Sequence, residues 1–282
     1  MDDIHSLNEA INKKAGRKLF PSIVVSLLIL GIVFGTLKIH PALFTGLVLI
    51  AVVVAIRELN HGFKLAGIMI PDYFLQIASI GVVLAAYFGR VSGLSVAAAI
   101  AIPNLFVLLL ALAPADFIKR VSAASLAIFY VPFLAGFIVL LAHNPDGPAR
   151  ILTLVVLVAC NDTFAFIFGV LFGRHRLAPH ISPKKTWEGL IGSLIATTAG
   201  ASLIFHFVVH KHWWLGVLIG LMGVATATAG DLIESAIKRD LNIKDMGSIL
   251  PGHGGVLDRI DSVLFTAPAV WFVLELIKHW SL

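Results

Sequence analysis

Midway along an apolar stretch from Ile151 to Phe172 stands Asn161-Asp162-Thr163, flanked by Leu157, Val158, Phe164 and Phe166. A carboxylate at the centre of a membrane helix costs about 2.5–3.5 kcal/mol on insertion scales, so Asp162 is expected to face a polar cavity or a cation. The alternative is a buried structural hydrogen bond. The next polar run, Ser182-Pro183-Lys184-Lys185-Thr186-Trp187-Glu188-Gly189, leads into another apolar stretch and reads as a helix start. Pro183 suits a first-turn position and Ser182 or Thr186 suits a cap. A positive helix end beside Lys184 and Lys185 then suits phosphate. A plain cluster of loop lysines would account for Lys184 and Lys185 but not for the Ser, Thr and Glu188 beside them.

Two further runs complete the set. In Gly230-Asp231-Leu232-Ile233-Glu234-Ser235-Ala236-Ile237-Lys238-Arg239, Glu234, Ser235 and Lys238 follow Asp231 by three, four and seven residues. Continued helix puts all four on one face, able to hold a metal and a phosphate together. The segment from Lys244-Asp245-Met246-Gly247 through Pro251-Gly252-His253-Gly254-Gly255-Val256-Leu257-Asp258-Arg259-Ile260-Asp261 is rich in glycine. Its backbone is expected to approach a ligand closely, with amides aimed at anionic oxygens. Asp258 and Asp261, three apart, are expected to face the Asp231 carboxylate, and hard oxygen ligands near phosphates favour Mg2+. His253 has no second histidine or cysteine at a zinc-like spacing, so a turn hydrogen bond is an equal reading. Interfacial ion pairs and helix-capping aspartates are the structural alternatives for these runs. A Walker loop and a strand-borne G-x-G-x-x-G are both missing from the sequence, which disfavours a soluble nucleotide-binding domain.

The elements that must position these residues are set by composition. The chain of 282 residues is 59% hydrophobic and 13% charged, with mean hydropathy +0.96. A soluble chain carries about a quarter charged residues, so this one belongs in a bilayer. Apolar stretches run approximately over Phe20 to Leu37, Pro41 to Ile56, Tyr73 to Phe88, Leu94 to Ala113, Val121 to Ala142, Ile151 to Phe172, Leu190 to Val209, Trp213 to Gly230 and Ser262 to Trp280. Backbone groups in lipid must pair internally, so these are expected to be helices. The fold class is therefore all-α, a polytopic integral membrane protein with about nine transmembrane helices; the second and third stretches are short, and eight spans are also possible.

Residues 1–150 read as a transmembrane scaffold and residues 151–282 as the catalytic region. The stretch Met1 to Lys18 suits a basic surface anchor, and the first span lacks a cleavage site and is expected to stay in the membrane. Cys160, the single cysteine, lies inside an apolar stretch and is expected to be a small packing residue. With the amino terminus inside and nine spans, sixteen of the 21 lysines and arginines fall on the cytoplasmic side; Lys38, Arg90, Arg150, Lys211 and Lys278 are the exceptions.

The run from Ser235 to Asp261 resembles the signature of phosphatidate cytidylyltransferases: S-x-I-K-R, four residues, K-D-x-G, two residues, then L-P-x-H-G-G-V-x-D-R-I-D. Asn161-Asp162, the S-P-K-K-T-x-E-G loop and G-D-x-x-E-S are similar to that family in the same order. The resemblance implies a polytopic bacterial-type enzyme of the inner membrane, with Mg2+ as cofactor, that is usually a homodimer and faces the cytoplasm. It assigns the metal to Asp231 and Asp258, with Asp261 beside them. CTP and phosphatidate are the implied substrates, and nucleic acid is not a partner. Lys184, Lys185, Lys238 and Arg239 would neutralise triphosphate or lipid phosphate, and Asp162 would complete the cavity or hold a second cation. Glu188, Glu234, Ser235, His253 and Arg259 join the catalytic set, while Ser182, Thr186, Lys244, Gly254 and Gly255 are expected to bind substrate. A secondary transporter is the rival from another class, since intramembrane carboxylates also mark ion pathways. A cytidylyltransferase for another lipid phosphate, or a polyprenol kinase, is a closer alternative.

Overall fold

The computed structural model describes residues 19–112, 115–247 and 254–279. The expected surface anchor at Met1 to Lys18 and the site residue His253 lie outside these. The chain is built of helices: α1 (Leu19–Ile39), α2 (Pro41–Leu65), α3 (Asp72–Leu112), α4 (Phe117–Ala142), α5 (Gly147–Phe172), α6 (Trp187–Phe207), α7 (Trp213–Asp240) and α8 (Leu257–His279). Among the described residues seven, α2 to α8, are long and apolar enough to cross a membrane, and the described apolar part of α1, Leu28–Ile39, falls short. The protein is thus a helical, multi-pass membrane protein.

The expectation of nine spans meets a bent helix at α3. Its 41 residues would extend about 60 Å if straight, twice the hydrocarbon thickness. Arg90 breaks it with φ 55° and ψ −143°, and a Cβ on Gly93 would collide with the Ala85 carbonyl oxygen. Residues eight apart in a straight helix are about 12 Å apart, so the chain doubles back here. The stretch Tyr73 to Phe88 and the described part of the next one, Leu94 to Leu112, are its two limbs. In α4 a π-helical turn, Phe129–Phe133, accommodates Pro132, because the wider turn frees the carbonyl that a proline ring would strike.

The all-α expectation holds, with one small addition. Between α5 and α6 the chain forms an antiparallel hairpin, β1 (Arg176–Ala178) with β2 (Ser182–Thr186), in the register Arg176 to Thr186 and Ala178 to Ser182. Of the two caps the sequence offers, Ser182 and Thr186, the second is the one used, and the helix starts at Trp187. Pro183 occupies a strand of this two-stranded ribbon, where a missing amide is tolerated, and the cap is Thr186, whose Oγ1 accepts from Gly189 N at 3.1 Å.

Leu75, Val83, Leu105, Leu109, Ile128, Leu141, Leu154, Leu264 and Val270 are among the buried apolar residues that pack the bundle. Hydroxyls within the helices return their protons to the preceding turn, as Thr153 does to Ala149 O at 2.8 Å and Thr266 to Ser262 O at 2.7 Å. That settles their polarity without water. Helices α7 and α8 cross closely at the end that carries the motifs: a Cβ on Gly230 would lie 2.8 Å from Asp261 O, and Ser262 Oγ donates to Ala227 O at 3.1 Å.

Candidate active site

The site is assembled from four helices, α5 to α8, with the hairpin and the loop between α7 and α8, at one end of the bundle. Helix α7 continues unbroken to Asp240, so Asp231, Glu234, Ser235 and Lys238 share a face and line one cavity of about 1020 Å3. Helix α8 begins at Leu257 and brings Asp258, Arg259 and Asp261 to the same wall. Asp162, on α5, opens onto the cavity, and its neighbour Asn161 donates to it at 3.1 Å. The hairpin covers the remaining side with Ser182, Lys184, Lys185 and Thr186, while Lys244 and Gly254 come from the loop between α7 and α8.

Acids and bases are interlocked here. Lys185 pairs with Asp231, and Lys238 pairs with Glu234 and, at 2.7 Å, with Asp258 Oδ1. The other oxygen of Asp258 accepts from Met246 N at 3.0 Å and from Gly255 N at 2.7 Å. Glu234 and Asp258 thus share one ammonium, and Asp231 and Asp261 line the same cavity. Asp261 is 5% exposed and Glu234 is 2% exposed, and Glu234 Oε1 has no hydrogen-bond partner among the described residues. Carboxylates crowded in pairs out of water require cations between or beside them.

That test bears on Mg2+. Among the described residues no group of three or more carboxylate, histidine or cysteine side chains stands ready as a metal shell. Magnesium is nonetheless held elsewhere by one or two carboxylates, waters and substrate phosphates rather than by a protein cage. The paired acids and the bare Glu234 oxygen fit an ion of that kind.

Three of the predicted residues that the structure describes stand apart from the lining. Glu188 turns to the base of the hairpin, where it accepts from Arg174 N at 3.1 Å and from His175 N at 3.2 Å and pairs with His175 Nδ1 at 2.6 Å. Arg239 is exposed and its Nε donates to Ile181 O at 3.4 Å, tying the hairpin to α7. Gly255 is buried against Glu58, not against the cavity, and His253 is not among the described residues. Gly254 is glycine for a definite reason: it has φ 78°, and a Cβ there would lie 2.9 Å from Asp258 Oδ2.

Glu58 on α2 escaped the sequence reading. Its carboxylate is 5% exposed and accepts from Val256 N at 3.0 Å and Leu257 N at 2.9 Å, the first amides of α8. Asn161, Thr228, Asp245 and Gly247 also line the cavity, with Thr228 Oγ1 donating to Asn161 at 3.5 Å. The signal for Glu58 was available as a carboxylate beside Arg57 near the end of an apolar stretch.

Residues 21–277 match the sequence profile of the cytidylyltransferase family. The chain is 35% identical over 277 residues to a phosphatidate cytidylyltransferase of Mycobacterium bovis, covering 94% of this chain and 90% of the relative. A phosphatidate cytidylyltransferase of Mycobacterium leprae is 36% identical over 280 residues, with 94% and 90% covered. One from Thermotoga maritima is 37% identical over 172 residues, 58% of this chain and 63% of its own length. With the profile spanning nearly the whole chain and the signature acids gathered around one cavity, the chain belongs to the cytidylyltransferase family.

Proposed function

We infer that the chain is a phosphatidate cytidylyltransferase, a nucleotidyltransferase that joins CTP to phosphatidate and releases CDP-diacylglycerol and pyrophosphate in phospholipid synthesis. The observation that carries this reading is the shared cavity. Acids from α7 and α8 and lysines from the hairpin and α7 meet in a space wide enough for a nucleotide and a lipid headgroup. A phosphate oxygen of phosphatidate attacks the α-phosphorus of CTP and forms the new P–O bond, while the bond to the β-phosphate oxygen breaks in line. Phosphatidate is already anionic, so no general base is needed. What remains for the protein is positioning and charge neutralisation.

Lys184, Lys185, Lys238, Lys244 and Arg259 face the cavity and suit the phosphates of both substrates. Asp231 and Asp258 would hold Mg2+, with Asp261 lining the same cavity, and Asp162 would complete the cavity or hold a second cation. Bound there, the metal would neutralise triphosphate oxygens. On this reading the two limbs of α3 cross separately and α1 is a further span, nine crossings in all, with the hairpin and the loop between α7 and α8 on the cytoplasmic side of the inner membrane, where lysine and arginine collect. CTP then arrives from water and phosphatidate from the adjoining leaflet, and a homodimer is the expected assembly.

The test is turnover of purified protein with phosphatidate, labelled CTP and Mg2+, wild type against Asp258→Asn. The expected result is CDP-diacylglycerol and pyrophosphate from wild type, none without Mg2+, and a loss of about 10²-fold or more in the variant. Undiminished turnover in Asp258→Asn rejects the site, and transport of an ion with no nucleotide-lipid product favours the transporter instead.

A further inference from the structure

We propose that Glu58, in the amino-terminal region, is a positioning residue that sets Asp258 in the cavity. This rests on the reading of Asp258 as part of the catalytic machinery. Glu58 is a buried carboxylate whose two oxygens are taken by backbone amides: Oε1 accepts from Val256 N at 3.0 Å and Oε2 from Leu257 N at 2.9 Å. A carboxylate at a helix start is satisfied by the amides and by the positive end of the helix, which offsets its loss of water. The two described ends of the loop meet it through glycines, Gly247 and Gly255. A Cβ on Gly255 would lie 2.5 Å from Glu58 Oε2, and one on Gly247 would collide with Oε1.

The same two passes of chain hold Asp258. Its Oδ2 accepts from Met246 N, next to Gly247, and from Gly255 N. Its Oδ1 is left for Lys238 at 2.7 Å. Glu58 and Asp258 therefore hold the same two ends of the loop, and a shift of those ends off Glu58 moves the amides that orient Asp258. The rest of α8 is anchored independently by Leu264, Ala267, Val270 and Leu274, all buried, so the disturbance is confined to the first turn. Glycines that looked suited to admitting a ligand thus admit a carboxylate of the protein itself, and the amino-terminal region reaches the catalytic wall.

Glu58→Gln keeps one acceptor oxygen but sets an amide donor against a backbone donor, while Glu58→Asp keeps the charge and shortens the reach. Misplacing a reacting group by about 1 Å costs about 10²-fold, so kcat in Glu58→Gln is expected to fall about ten- to a hundredfold. Glu58→Asp is expected to recover part of that loss. The thermal midpoint in detergent should stay within about 3 °C of wild type. Hydrogen exchange of residues 254–262 should accelerate in Glu58→Gln while α4 and α5 exchange as in wild type. Glu275→Gln, at the far end of α8, serves as the control for general damage.

Wild-type kcat in Glu58→Gln, or unchanged exchange at 254–262, overturns the proposal. So does loss of folding in both variants with Glu275→Gln folded, since Glu58 would then be a strut. Asp258→Asn measured alongside separates the two readings: if it turns over normally the underlying site fails, whereas an inactive Asp258→Asn with a fully active Glu58→Gln sinks only the role of Glu58.

Discussion

Helix α8 carries a charge cluster at each end, and the two are put to different use. At its start, Asp258 and Asp261 stand among Asp231, Glu234, Lys185 and Lys238 on the wall of the cavity. About 25 Å away along the helix, Glu275 Oε1 accepts from Arg150 Nη1 at 2.6 Å, and Arg150 Nε donates to Asp146 at 2.8 Å. Arg150 is 4% exposed, its planar fork held between two carboxylates. Nearby His143, beyond the end of α4, is kept below its ordinary pKa by burial, with Arg90 and His40 adding to the effect. The far end has matched its charges with a rigid guanidinium. The site end crowds four carboxylates, Asp231, Glu234, Asp258 and Asp261, about the ammonium groups of Lys185 and Lys238, with one Glu234 oxygen left bare. Matched buried charge marks a structural joint, whereas surplus buried charge waits for a ligand.

Exchanging the cations tests that contrast most sharply. Lys238→Met removes the ammonium shared by Glu234 and Asp258, and turnover is expected to fall about 10²- to 10³-fold, as for loss of one charge-stabilising donor. Steady-state rates with CTP and phosphatidate decide it, and a variant within a few-fold of wild type would break the comparison at the site end. Arg150→Met should do the reverse. Its loss takes a buried guanidinium from between an exposed carboxylate, Asp146, and a half-buried one, Glu275, at a cost of about 1–2 kcal/mol of stability, read as a lower thermal midpoint, with turnover per folded molecule unchanged. A specific loss of turnover at full stability would mean that the far end also serves catalysis.

What the sequence disclosed was decided by distance along the chain. Asp231, Glu234, Ser235 and Lys238 lie within two turns of one helix, so periodicity alone put them on one face, and the cavity keeps them there. Asp258 and Asp261 were readable for the same reason. Glu58 was not, because its partners Val256 and Leu257 are 198 and 199 residues away, and only tertiary packing joins them. Glu188 was misplaced because a carboxylate beside two lysines suits a phosphate site and a hairpin clamp equally. Pro183 fits either a first helical turn or a short ribbon strand, and that ambiguity hid the hairpin. The reversal at Arg90 was visible as a gap between two apolar stretches, although its tightness was not.

The smallest expected effect concerns the join between hairpin and helix. Thr186 closes β2 and caps α6 at once: its backbone pairs with Arg176 across the ribbon, and its Oγ1 accepts from Gly189 N. Valine keeps the branched shape that suits a strand but has no acceptor for that amide, so Thr186→Val is expected to cost about 1 kcal/mol. The loss should be felt locally, because Glu188 still clamps Arg174 and His175. Lys185 adjoins the weakened cap and pairs with Asp231, so a looser hairpin raises the KM for CTP while leaving kcat near wild type. A matched fall in kcat with unchanged KM would instead tie the hairpin to the chemical step, and would move the boundary between matched and surplus charge into the hairpin.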